Sequence, residues 1–111
     1  MSATYNINQL QGSSLNLRFT ARASAGNNIN LNGYNVRGYI KEKYSNTGIL
    51  YNLAPTIYSS ISGMVDIFVS GDHTASWPIN KLCYDIEAYN TGGIVVKISR
   101  GYIYVQPEVT I

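Results

Sequence analysis

Apolar and polar side chains alternate with period two along most of this chain. The longest such stretch is Lys81–Val105, KLCYDIEAYNTGGIVVKISRGYIYV. It predicts two long strands joined at Asn90–Thr91–Gly92–Gly93, a β-hairpin whose Gly-rich turn supplies the positive φ such turns need. In the first arm Leu82, Tyr84, Ile86 and Ala88 share one face while Asp85, Glu87 and Tyr89 share the other, the pattern of a strand with one buried side. In the second arm Ile94, Val96 and Ile98 hold even positions, whereas Gly101, Ile103 and Val105 hold odd ones. Both sets can point inward only if one residue is added to the strand, which predicts a β-bulge near Ser99–Arg100–Gly101. Without the bulge, Tyr102 and Tyr104 would turn inward instead.

The same reading extends to the rest of the chain. Tyr5–Leu10 is a short strand with Tyr5 and Ile7 on one side, interrupted by Gln11–Gly12–Ser13. Ser14–Ala21 sets Leu15, Leu17 and Phe19 inward, and the small polar run Arg22–Asn28 forms a loop. Ile29–Gly33 is extended and ends in an Asn-Gly turn. Tyr34–Tyr44 directs Tyr34, Val36, Gly38 and Ile40 one way and Asn35, Arg37, Tyr39, Lys41 and Lys43 the other. Beyond the turn at 45–48, strands are expected at Ile49–Leu53, Ile57–Ile61 and Met64–Ser70, the last with Val65, Ile67 and Val69 on one face. Gly71–Pro78 breaks the alternation. There Asp72 is positioned to cap one short helical turn near residues 72–77, which Pro78 stops, and Trp77 is expected to close the core.

Seven to nine short strands with regular turn signals and no full-length helix predict an all-β, immunoglobulin-like antiparallel β-sandwich, one domain over residues 1–111. In that strand order Tyr34–Tyr44 pairs with the first hairpin arm, and the first arm with the second. Arg37, Lys41 and Lys43, then Asp85 and Glu87, then Lys97 would form a basic–acidic–basic ladder on one exposed sheet face, each opposite-charge pair contributing ~0.2–1 kcal/mol and helping to set register.

Charge is sparse, at 13% of residues and a formal +2, against a usual charged fraction of about 25%. That balance speaks against a nucleic-acid partner, which calls for clustered Lys and Arg. No stretch approaches the roughly 20 apolar residues of a membrane-spanning helix, and MSATYNINQLQG does not read as a secretory signal.

Candidate chemistry is thin. Cys83 is the sole cysteine and is read as a buried structural thiol. One His and one Cys cannot assemble a metal site, so no metal or cofactor is expected. Asp85 and Glu87 are the one close carboxylate pair, and their flanking cations make them a charge ladder rather than an acid–base dyad. The expectation is therefore a protein that is not an enzyme. What remains is surface. Tyrosines 39, 44, 51, 58, 89, 102 and 104 are too many for so small a core, and exposed tyrosine favours protein interfaces. Tyr39, Tyr89, Tyr102 and Tyr104, with Pro107, Val109 and Ile111 of the extended tail, are the candidate partner contacts.

The order of these pieces resembles the small immunoglobulin-like virion proteins of tailed bacteriophages and the N-terminal domain of phage baseplate upper proteins. The matching segments are Gln11–Gly12, Leu31–Arg37 with Ile40–Lys41, Gly63–Val69, Thr74–Pro78, Tyr84–Glu87 and Gly101–Thr110, in that order along nearly the whole chain. Trp77 stands where a small aliphatic residue is usual, and the Arg22–Asn28 loop lacks the usual acidic turn. The resemblance implies a structural role in a virion, as an adaptor or accessory subunit of neck, tail or baseplate. Its partners would be other virion proteins, in a symmetric ring or homo-oligomer. The alternative is a carbohydrate-binding or adhesion module using Trp77 and tyrosines as stacking platforms.

Overall fold

A computed structural model describes residues 3–23, 26–44 and 48–107. In chain order the elements are β1 (Ala3–Thr4), β2 (Ile7–Leu10), β3 (Leu15–Thr20), β4 (Asn35–Lys41), β5 (Tyr51–Asn52), β6 (Thr56–Ser59), β7 (Met64–Val69), the single-turn helix α1 (Gly71–Thr74), β8 (Lys81–Tyr89) and β9 (Val95–Gln106). A six-stranded sheet runs β1-β9-β8-β4-β5, with β2 also on β9, and a three-stranded sheet runs β3-β7-β6. Two sheets in this order make an immunoglobulin-like β-sandwich. The pairings are antiparallel except where β1 and β2 run parallel to β9.

The inward residues read from the sequence for β7 and β8 are buried, although on β8 the outward Cys83 and Glu87 are buried as well. Leu82, Tyr84, Ile86 and Ala88 of β8 face Val65, Ile67 and Val69 of β7 across the core, and all seven are buried. Trp77 closes one end of the sandwich at 2% exposure, edge-on to Tyr51 with ring centroids 5.6 Å apart. Thr74 helps to seal the same end, its hydroxyl donating to the Ser13 carbonyl (2.7 Å) and accepting from the Gly12 N–H (3.1 Å).

The bulge in β9 lies at Ile98, slightly before the predicted Ser99–Arg100–Gly101. Ile86 pairs with Ser99 but Glu87 pairs with Lys97, which leaves Ile98 as the extra residue. Ser99 points inward and is buried, because the core contains a partner for it. Its hydroxyl lies 3.0 Å from that of Tyr84, which in turn donates to the Tyr5 carbonyl at 2.6 Å. Burial pushes the Tyr84 phenol up to about 12, so it keeps the proton this bond requires.

Other boundaries move for local reasons. Ile94 lies in the hairpin turn and is exposed, because Asn90 Oδ1 accepts the N–H groups of Gly92 and Ile94 and delays the start of β9. The expected Tyr5–Leu10 strand is broken at Tyr5–Asn6, and Ile49–Leu53 shrinks to Tyr51–Asn52. Ser70, not Asp72, holds the N-cap position of α1, and it makes no side-chain cap bond; Asp72 sits in the first turn.

Candidate functional site

Four of the candidate contact residues meet on one surface. The outward side chains of β4, β8 and β9 stand in rows set by register: Lys41–Cys83–Tyr102, then Tyr39–Asp85–Arg100, then Arg37–Glu87–Lys97, then Asn35–Tyr89–Val95, with Lys81 opposite Tyr104 at the other end. Tyr39, Tyr89, Tyr102 and Tyr104 therefore share the outer face of the six-stranded sheet. Pro107 is exposed just past the end of β9 and belongs to no row, and Val109 and Ile111 lie outside the described residues.

Glu87 is the electrostatic centre of this face. Its carboxylate takes Arg37 Nε at 2.5 Å on one oxygen and Lys97 Nζ on the other. This is the predicted basic–acidic–basic ladder, shown here in one full rung. Burial by itself would raise the Glu87 pKa, but the hydrogen bonds from Lys97 and Arg37 outweigh it and hold the carboxyl below its ordinary value of 4.5. Asp85 lies between Tyr39 and Arg100, with no ion pair within 4.0 Å among the described residues. Lys43 lies beyond the end of β4, so it is not part of the ladder.

A group whose folded pKa is lowered adds stability that is present above its unfolded pKa and lost as pH falls through the folded value. Glu87→Gln should therefore cost about 1.5–3 kcal/mol at neutral pH, the range for hydrogen bonds to charged groups. That penalty should shrink as pH drops below the ordinary 4.5. Urea titrations of both proteins across the acid range check it, and a penalty independent of pH would assign the role of Glu87 to packing.

Tyr44, counted among the surplus tyrosines but not among the candidate contacts, also joins this surface; β4 ends at Lys41, so strand parity does not set its side. It folds back across the sheet, and its hydroxyl reaches the carbonyls of Gly101 (2.8 Å) and Tyr84 (3.1 Å). Its ring packs edge-on against Tyr102 at 5.9 Å. Cations cover the tyrosine rings. Arg100 lies over Tyr44 at 4.5 Å, Lys81 over Tyr102 at 4.6 Å and Arg37 over Tyr89 at 4.4 Å. Lys81 was within reach of the sequence, since it shares the parity of Asp85 and Glu87. The side taken by Arg100 depended on where the bulge fell.

Two shallow recesses flank Tyr44, one of about 330 Å³ toward Arg37 and Glu87 and one of about 530 Å³ toward Glu42, Lys43, Asn80 and Lys81. Cys83 opens toward the first but is 2% exposed. Its Sγ donates to the Lys41 carbonyl at 3.4 Å, and burial raises its pKa, which disfavours the thiolate a nucleophile needs. Among the described residues no three His, Cys, Asp or Glu side chains converge as metal ligands do, and no helix is long and apolar enough to cross a membrane.

No family model matches this chain, and no curated protein matches it. Among solved structures it is similar to a family 123 glycoside hydrolase from Clostridium perfringens, studied for glycolipid glycan hydrolysis. The match has 12% identity and a TM-score of 0.43, and covers 98% of this chain and 24% of that one. The chain thus spans about a quarter of that protein's length, and a likeness at this level bears on neither activity nor substrate.

Proposed function

We propose that this protein is a non-enzymatic structural subunit of a tailed-phage particle, an adaptor or accessory component of neck, tail or baseplate that works through protein–protein contacts. One observation carries the reading: tyrosines from three adjacent strands and from the segment after β4 gather with cations on a single sheet face. Tyrosine and arginine, both present on this face, are enriched at surfaces that hold other proteins. The resemblance to small immunoglobulin-like virion proteins supplies the setting, with other virion proteins as partners and the particle as the location. Mass spectrometry of purified particles tests it. The chain should be found in them in fixed ratio to the neck, tail or baseplate proteins, and its complete absence from the virion would end the proposal.

The carbohydrate-binding alternative loses its main platform. Trp77 is enclosed at 2% exposure against Tyr51 and cannot stack on a sugar ring without opening the core. A glycan array of the isolated protein checks this, with no binding expected that depends on Trp77.

A further inference from the structure

The net charge of the chain is concentrated on the tyrosine-bearing face. Arg37, Lys41, Lys81, Lys97 and Arg100 point outward there against Asp85 and Glu87, five cations to two carboxylates, and Glu42 and Lys43 at the larger recess cancel each other. The local balance is +3 on a chain whose total is +2. The excess is not spread evenly. Glu87 uses Arg37 and Lys97, whereas Lys41, Lys81 and Arg100 make no ion pair among the described residues. Lys41 lines the smaller recess and Lys81 the larger, while Arg100 lies over the Tyr44 ring and Lys81 over that of Tyr102.

We propose that this half of the face, Lys41, Lys81 and Arg100 around Tyr44 and Tyr102, docks a carboxylate-bearing acidic segment of a partner protein. Three features select that occupant. Unpaired cations on an exposed sheet attract carboxylates and steer their approach. The rings of Tyr44 and Tyr102 each have a cation over one face, so a sugar or nucleobase stacking on that face would have to displace Arg100 or Lys81. Asp85 sits in the row next to Lys41 and would repel a continuous polyanion such as a phosphate backbone, while a peptide can set a neutral or basic residue opposite it. The Tyr102 hydroxyl then supplies a hydrogen bond to the bound segment, while that of Tyr44 is used on the Gly101 and Tyr84 carbonyls. This rests on the proposed protein–protein role for the nature of the partner, and adds to it the surface and the charge that the partner must carry.

The test measures fluorescence anisotropy of the whole chain with three labelled probes: a short peptide alternating glutamate and glycine, its lysine counterpart, and single-stranded oligothymidylate. The acidic peptide should bind, more weakly as salt rises, and the lysine peptide should not. Lys81→Glu with Arg100→Glu should weaken the acidic peptide about tenfold or more, while Arg22→Glu, far from this face, leaves it unchanged. Lys81→Gln, which alters one exposed side chain, serves if the double variant fails to fold, and should give a smaller loss in the same direction. Absence of acidic-peptide binding, indifference to these substitutions, or tighter binding of oligothymidylate would each overturn the proposal. Particle incorporation separates the two readings. Full incorporation of a folded Lys81→Glu/Arg100→Glu protein would sink this inference and leave the structural role standing, whereas absence of the wild-type chain from particles would sink the structural role alone.

Discussion

Replacing Trp77 by alanine should remove about 3–5 kcal/mol of stability, the range for deleting a large aromatic side chain from a packed interior. Trp77 is the only tryptophan in the chain, and it fills the end of the sandwich where β5 and α1 meet. Its ring packs against Tyr51, and Tyr51 in turn bonds His73 of α1 at 3.0 Å. The Trp77 carbonyl takes a bond from the Gln11 side chain at 2.6 Å, which ties the β2–β3 connection to the same end. Removing the indole leaves a void that these groups cannot fill, since their backbones are held by other bonds. Urea unfolding followed by far-ultraviolet circular dichroism measures the loss, and Trp77→Phe should recover part of it. A loss below about 1 kcal/mol would mean that the end of the sandwich collapses freely around the gap.

Gly101→Val should cost about 3 kcal/mol, the upper end of the usual overpacking range, and should act mainly on the N-terminal strands. A Cβ at position 101 would lie 2.2 Å from the Tyr5 carbonyl oxygen and 2.8 Å from its carbon. Backbone occupies that space, so no side-chain rotation relieves the clash. The clash falls where the chain passes between β1 and β2, both paired in parallel with β9. The cheapest relief is to lift residues 3–10 away from β9, breaking the Tyr84–Tyr5 bond and uncovering a long strand edge. Hydrogen exchange should show protection lost first in β1 and β2, with β8 and β4 affected less. Gly48→Ala, with open space around the added Cβ, is the control and should stay within about 0.5 kcal/mol of wild type. Uniform loss of protection across both sheets would show that the N-terminal strands do not come away on their own.

The sandwich was legible in the sequence because its signal is local. Strand alternation forces every second side chain to the same side, so Leu82–Ala88 and Val65–Val69 announced their buried faces without reference to any neighbour. Once β4, β8 and β9 were set side by side, the same alternation placed Tyr39, Asp85, Glu87 and Tyr89 on the outer face and anticipated the Arg37–Glu87–Lys97 rung.

Contacts made across the fold were beyond that reach. The side chain of Ser99 turns inward to the buried hydroxyl of Tyr84, fifteen residues earlier, a partner that no local pattern reveals. Tyr44 joins the surface because carbonyls on β8 and β9 lie where its hydroxyl can reach them. Periodicity along the chain determined which side of each strand is buried, since that depends only on backbone geometry. Which side chains came to share a surface, and which cations lack a carboxylate among the described residues, was decided by tertiary packing, because such pairings depend on distances between segments remote in sequence.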